Sequence, residues 1–245
     1  MIRFGLIGRT LSHSFSERWF TEKFKTEGRA DHRYELHELT AITAFPDLLR
    51  TTEGLRGLNV TVPYKQQVIP YLDALAPTAA AVGAVNTIDL HNGRAIGHNT
   101  DVEGFRTMVA PMLNGARPRA LVLGTGGASR AVVFVLRELG IKFRTVSRGR
   151  DRGDLTWDLM HPAIIKASEL IINATPLGMF PAVDEAPALP YEAIDAGHTL
   201  IDLVYNPAET RFLALGKARG ARVCNGMPML EAQAEASWRI WNADR

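Results

Sequence analysis

Short apolar runs alternate with segments of helical period almost from end to end of this 245-residue chain, which restricts it to layered α/β architectures. Ile2–Gly8 reads as a strand. Ser14–Thr26 reads as a helix, with Trp19, Phe20 and Phe24 on one face and Ser14-Phe15-Ser16-Glu17 placed as a capping box. His32–Leu39 alternates as a strand should, Ile42–Leu49 returns to helical spacing, and Leu55–Val62 is a β run stopped by Pro63. Val85–Leu90 and Arg94–Gly97 flank Asn92-Gly93, a pair suited to a type I′ turn. They are expected to form a hairpin that adds an antiparallel edge to a largely parallel sheet.

A second α/β series opens with a helix over Thr100–Leu113 and the linker Asn114-Gly115-Ala116-Arg117-Pro118. The strand Arg119–Leu123, a glycine turn, the helix Ser129–Leu139 stopped by Gly140, and the strand Phe143–Ser147 follow. Further strands are expected at Leu170–Ala174, Leu200–Val204 and Ala221–Val223. A last helix, Pro228–Trp241, carries Leu230, Ala234, Trp238 and Trp241 at helical spacing. Two α/β lobes with a junction near residue 100 are the expectation.

Composition excludes several classes of function. A net charge of +2 provides no field for nucleic acid or an anionic membrane, so neither is an expected partner. The one cysteine, Cys224, can form neither an internal disulfide nor a Cys-based zinc site, and the seven histidines show no ligand spacing, so no metal is expected. The apolar run at Ile2–Gly8 is too short for a signal peptide, and Ala74–Ile88 is interrupted and too short to span a bilayer. A cytoplasmic protein acting on a small molecule is expected, as a monomer or a homodimer.

The unit Ala120–Ala131 joins a strand, the glycine turn Gly124-Thr125-Gly126-Gly127-Ala128 and a helix start. Glycines at such a corner let backbone N–H groups and the positive helix end approach a pyrophosphate, although a corner can require glycine for its turn alone. Ser129 stands where the G-x-G-x-x-G pattern has its third glycine. The next strand ends Ser147-Arg148-Gly149-Arg150-Asp151-Arg152, with no carboxylate at the position that would bind a ribose 2′-hydroxyl. Arg148, Arg150 and Arg152 favour a 2′-phosphate, hence NADP, unless Asp151 and Asp154 neutralise a merely solvated loop.

Three segments of the first lobe narrow the choice: Ser12-His13-Ser14-Phe15-Ser16, Asn59-Val60-Thr61-Val62-Pro63-Tyr64-Lys65, and Gly83-Ala84-Val85-Asn86-Thr87 with Asn99-Thr100-Asp101 beyond it. With Gly124–Ala128, Asn173-Ala174-Thr175, Tyr205, Asn225-Gly226 and Met229–Ala234, they resemble the shikimate dehydrogenase family in order along nearly the whole chain. The resemblance implies a substrate domain over 1–101, completed by a C-terminal helix at 228–245, and a Rossmann-like NADP-binding domain over 102–227. It implies NADPH-dependent reduction of 3-dehydroshikimate to shikimate. By position, Ser14 and Ser16 resemble ligands of the substrate carboxylate with Tyr205 nearby, and Thr61, Asn86, Asp101 and Gln233 resemble groups holding the ring hydroxyls. Lys65 and Asp101 resemble the catalytic pair. Gly124, Thr125, Gly126, Gly127, Ala128, Ser147, Arg148, Arg150, Arg152, Thr175, Leu203 and Gly226 resemble cofactor contacts. The chain departs from the family at His98, Glu17 and Ser147-Arg148-Gly149, and leaves room for only a short crossover helix between Arg148 and Ser168.

The residue chemistry bears on the same roles. Ser14 and Ser16 at a helix start can cap it, bind an anion, or do both. Asp101 in a first turn is favourable to the helix dipole without any chemistry. The chain holds 22 arginines and 6 lysines, and of these two cations only lysine gives up a proton near neutrality when buried or set beside another cation. Lys65 is therefore either a surface lysine or the acid–base group, and His13 is read as structural. Two rival functions remain at this level: a quinate/shikimate dehydrogenase using NAD, and a non-catalytic dinucleotide sensor, which would not need Lys65 or Asp101.

Overall fold

Ile2–Gly8 forms β1 in the computed structural model, which describes residues 1–11 and 14–243. Ser12 and His13 lie outside the described residues, so the structural reading of His13 does too. The chain divides into two units, Met1–Thr100 with Gln233–Arg245, and Asp101–Ala232.

In the first unit, β1 is followed by α1 (Phe15–Thr26), β2 (His32–Glu38), α2 (Phe45–Thr51) and β3 (Leu55–Val60). Then come α3 (Tyr64–Gln67), β4 (Ala74–Leu75), α4 (Pro77–Val82), β5 (Thr87–His91) and β6 (Arg94–His98). The sheet order is β2-β1-β3-β5-β6-β4, and only β5 runs antiparallel to its neighbours. Asn92 and Gly93 have φ of 50° and 72°, the positive values a type I′ turn demands. The hairpin does not form the sheet edge, however. β4 pairs with β6 outside it, a two-residue strand too short to leave a periodic signal in the sequence.

Alternation along β1 sends side chains to two cores, as in a central strand covered on both faces. Phe4 and Leu6 pack with Phe20 and Phe24 of α1 and with Ala234, Trp238 and Trp241, while Ile7 packs with Leu58, Phe45, Tyr64 and Val68. The Phe20 ring stacks on Tyr34 at 4.6 Å, and Phe4 on Trp241 at 4.8 Å. Phe20 is fully buried, so its truncation to alanine would cost about 3–5 kcal/mol. Trp241 donates its indole N–H to the Ile88 carbonyl at 3.0 Å, and Gly57 permits this approach, since a Cβ there would lie 2.2 Å from that nitrogen.

The second unit contains α5 (Asp101–Leu113), β7 (Ala120–Leu123), α6 (Gly127–Glu138), β8 (Phe143–Ser147), β9 (Leu155–Thr156), α7 (Pro162–Lys166) and β10 (Leu170–Asn173). After these come β11 (Thr199–Asp202), α8 (Arg211–Lys217), β12 (Arg222–Cys224) and α9 (Met227–Trp241), whose residues from Gln233 on belong to the first unit. All six strands are parallel in the order β12-β11-β10-β7-β8-β9, which is the doubly wound order of a dinucleotide-binding sheet. Its inner strands β7, β10 and β11 are buried runs, with Leu121 to Leu123 and Ile171 to Ile172 wholly enclosed. The crossover after β8 is compressed to β9 and the five residues of α7. Among the described residues, no helix is long and apolar enough to cross a membrane.

Candidate functional site

In the first unit, the chain leaves β3 at Val60 and turns at once. Thr61 donates its N–H to the Ile7 carbonyl and accepts from the Tyr64 N–H, both at 2.9 Å. The fully buried Tyr64 donates its hydroxyl to the Leu39 carbonyl, which anchors the single turn of α3 and leaves the next residue, Lys65, half-buried. The Lys65 carbonyl accepts from the Val85 N–H at 2.7 Å. The neighbour of Val85, Asn86, accepts the Thr100 N–H on Oδ1 at 2.7 Å, and its Nδ2 donates to Thr100 Oγ1 at 2.9 Å and Gln233 Oε1 at 3.3 Å. Asn99 donates to the Ala84 carbonyl at 2.9 Å. The motifs around Asn59, Asn86 and Asn99, distant in sequence, thus interlock, and Asn86 and Gln233 meet. Asp101, buried, directly follows the Thr100 that Asn86 holds.

Ser14 precedes α1 at the N-cap, but it does not form the expected capping box. Its Oγ is buried with no hydrogen-bond partner among the described residues and caps no N–H of the first turn, and Glu17 is exposed. An unpaired buried hydroxyl at a helix N-terminus suits an anionic ligand. Ser16 lies beside the buried Tyr34 phenol, whose burial raises its pKa well above the ordinary value and keeps it a donor, to Asn59 Oδ1 at 2.8 Å.

In the second unit, α6 begins at Gly127, two residues earlier than its sequence period suggested. Ser129 therefore lies inside the first turn, where its hydroxyl returns to the Gly124 carbonyl at 2.7 Å. Gly124 has φ +101°, and a Cβ there would meet the Thr175 methyl at 2.9 Å and the Ala174 carbonyl oxygen at 3.2 Å. The loops after β7 and β10, which flank the point where strand order reverses, therefore touch. Gly126 is the N-cap with no side-chain cap, and a Cβ on it would meet nothing within 4 Å. An open glycine corner at the N-terminus of a 12-residue helix fits a diphosphate.

The rim of this sheet is held by one carboxylate. Asp202, fully buried at the end of β11, accepts from Thr210 Oγ1 at 2.6 Å, Asn173 Nδ2 at 3.0 Å and the Val204 N–H at 3.0 Å. Burial raises its pKa to about 6 against these three hydrogen bonds. Asn173 in turn accepts from the Thr175 hydroxyl at 2.6 Å. Gly226 lies against Leu203, whose carbonyl oxygen would be 2.2 Å from a Cβ there, and Tyr205 is half-buried on the same loop. Thr175, Leu203 and Gly226 thus share the strand-end rim with Gly124.

Ser147 is buried and donates its hydroxyl to the Gly149 carbonyl, closing its own loop. Arg148, Arg150 and Arg152 are exposed; Arg152 pairs loosely with Asp151 at 3.5 Å, whereas Asp154 is engaged by the Thr145 N–H and hydroxyl. Arg150 lines a cavity of about 300 Å³ with Asp154, Thr156 and Leu159. Asp202, Thr210, Asn59 and Ser237 were not anticipated as site residues. For Asp202 a signal existed: a lone carboxylate within Leu200-Ile201-Asp202-Leu203-Val204.

Residues 6–88 match the model of the shikimate dehydrogenase substrate binding domain. A shikimate dehydrogenase (NADP(+)) of Clostridium beijerinckii is 39% identical over 97% of this chain and 91% of its own length. The structure of shikimate 5-dehydrogenase from Thermus thermophilus in complex with NADP(H) and shikimate superposes with a TM-score of 0.85 at 32% identity, covering 99% of this chain and 94% of that one. Quinate dehydrogenase from Corynebacterium glutamicum in complex with NAD gives 0.87 at 29% identity, covering 98% and 93%. Near-complete coverage at this identity settles the family: the chain belongs to the shikimate dehydrogenases.

Proposed function

We propose that this protein catalyses the reversible NADPH-dependent reduction of 3-dehydroshikimate to shikimate. The observation that carries the reading is the interlocked Asn86–Thr100–Gln233 cluster, uncharged amide and hydroxyl groups suited to a polyhydroxylated ring, in a chain whose other unit has an open glycine corner at the switch point of a doubly wound sheet. Residues 1–101 with the C-terminal helix are read as the substrate domain and 102–227 as the cofactor domain.

Gly124–Ala128 would hold the diphosphate of NADP, Arg148 with Arg150 or Arg152 its 2′-phosphate, and Thr175, Leu203 and Gly226 its nicotinamide end; bound NADPH supplies the hydride. Ser14 and Ser16 bind the substrate carboxylate with Tyr205 nearby, and Thr61, Asn86 and Gln233 bind the ring hydroxyls. As the carbonyl carbon gains hydride, its π electrons pass to oxygen, and Lys65 stabilises that oxygen and gives it a proton from Nζ. In the oxidative direction the neutral Lys65 amine takes the hydroxyl proton. Asp101 orients Lys65 and also contacts the substrate. This pairing is supported by the path from the Lys65 carbonyl through Val85 and Asn86 to Thr100, the residue before Asp101. The single cysteine agrees with a reducing, cytoplasmic setting.

An absorbance assay crossing shikimate and quinate with NADP and NAD tests the reading. Turnover of shikimate with NADP is expected to exceed all other combinations. The resemblance to a quinate dehydrogenase solved in complex with NAD makes faster quinate oxidation with NAD the outcome that would replace it.

A further inference from the structure

Behind the proposed substrate ligands lies a buried chain of side-chain hydrogen bonds. Asn59 is buried, and its Nδ2 lies 3.3 Å from the Asn86 carbonyl, a group that can only accept. That contact fixes the orientation of the Asn59 amide, so its Oδ1 faces Tyr34 and must accept the phenol proton, at 2.8 Å. Nδ2 also donates to Ser237 Oγ at 3.0 Å. Ser237, with no exposed surface, lies one helical turn after Gln233 and donates its only proton to the Gln233 carbonyl at 2.9 Å. Thr87 Oγ1 lies 2.7 Å from Ser237 Oγ and also reaches Asn86 Oδ1 at 3.3 Å. The Ser16 side chain lies beside the outer end of this chain at Tyr34.

We propose that Ser237 and Tyr34 are positioning residues for substrate recognition: through Asn59 they hold Asn86 and Gln233, at the proposed hydroxyl end, in one arrangement before substrate arrives, with Tyr34 beside Ser16 at the proposed carboxylate end. The inference rests on the substrate-domain reading above. Neither residue touches substrate; each acts through the side chains it holds. Tyr34→Phe leaves Asn59 Oδ1 buried without a donor, and Ser237→Ala removes the tie between α9 and Asn59 together with one hydrogen-bond partner of Thr87. The effect belongs in substrate affinity, since the glycine corner and Lys65 are untouched.

The test measures KM for shikimate, KM for NADP and kcat in Ser237→Ala, Tyr34→Phe and the double variant, with Phe45→Leu as a core control that loosens the same unit from its other face. Each single variant is expected to raise the shikimate KM about five- to tenfold, with the NADP KM changed by less than about twofold. The double variant should be little worse than the poorer single, because both act through Asn59. A shikimate KM unchanged in Ser237→Ala, or raised equally by Phe45→Leu, overturns the proposal; Ser237→Ala, which deletes one oxygen, decides it if Tyr34→Phe does not fold. Should the unsubstituted protein not oxidise shikimate, the functional reading fails separately. The side-chain amide NMR signals of Asn86 and Gln233 then decide this inference: they shift in Ser237→Ala if it is right and stay in place if it is wrong.

Discussion

Thr210 Oγ1 donates to Asp202 Oδ2 over 2.6 Å, so the carboxylate buried at the end of β11 is bound to the residue that caps α8. The same Thr210 oxygen accepts the Leu213 N–H, and the other Asp202 oxygen accepts from Asn173 and Val204. One buried carboxylate therefore holds the start of a helix and the ends of two strands that carry the proposed nicotinamide contacts.

Asp202 makes stability depend on pH. Its folded pKa, about 6, lies above the ordinary carboxyl value of 3.8, so folding favours the neutral carboxyl. The stabilisation is complete below the unfolded value, is lost as pH rises through the folded value, and is constant above it. The loss is on the order of 3 kcal/mol. Denaturant unfolding from pH 4 to pH 7 should show this slope, and Asp202→Asn should flatten it. Parallel profiles for the two proteins would mean that Asp202 does not titrate in this range.

Lys65→Met keeps the stem of the side chain but removes its charge and proton. Turnover is expected to fall by about 10²–10⁴-fold, the usual worth of general acid–base catalysis, with smaller changes in KM. Lys65→Arg should fail as well, because guanidinium holds its proton. Asp101→Asn should also lose activity, and combining it with Lys65→Met should add little if the two act as a unit. Near-normal turnover by folded Lys65→Met would return Lys65 to the role of a surface lysine.

Arg148→Ala tests cofactor choice. Loss of a charge-assisted contact to a 2′-phosphate costs roughly 1.5–3 kcal/mol, so the KM for NADP should rise about 10- to 100-fold while that for NAD barely moves. Equal effects on the two cofactors would place the 2′-phosphate elsewhere.

Two glycines of the cofactor unit separate fold from binding. A Cβ at Gly226 would lie 2.2 Å from the backbone oxygen of Leu203, which cannot move cheaply, so Gly226→Ala should lower the Tm markedly. At Gly126 a Cβ meets no neighbour within 4 Å. Gly126→Ala should therefore lose little more than a capping preference in stability, yet weaken NADP binding by filling the corner where the diphosphate lies. Calorimetric unfolding and titration with NADP measure both; undiminished NADP affinity in Gly126→Ala would remove the glycine corner from the binding site.

Features that depend on neighbouring residues were legible in the amino-acid order alone. Period-2 and helical spacing marked nearly every long element, Asn92-Gly93 required the positive φ values of its turn, and the glycine corner marked where β7 hands over to α6, although the helix starts at Gly127 rather than Ser129. That β4 closes the first sheet emerges only from the folded chain, because two residues carry no period. So does the meeting of Gln233 with Asn86 across 147 residues of chain and of Ser237 with Asn59 across 178. The same holds for Ser14, whose sequence suits a cap equally well, and for Asp202, whose pKa follows from its burial and three partners. Local conformational preference is written in adjacent residues; hydrogen-bond partners and burial exist only once the chain path brings distant segments together.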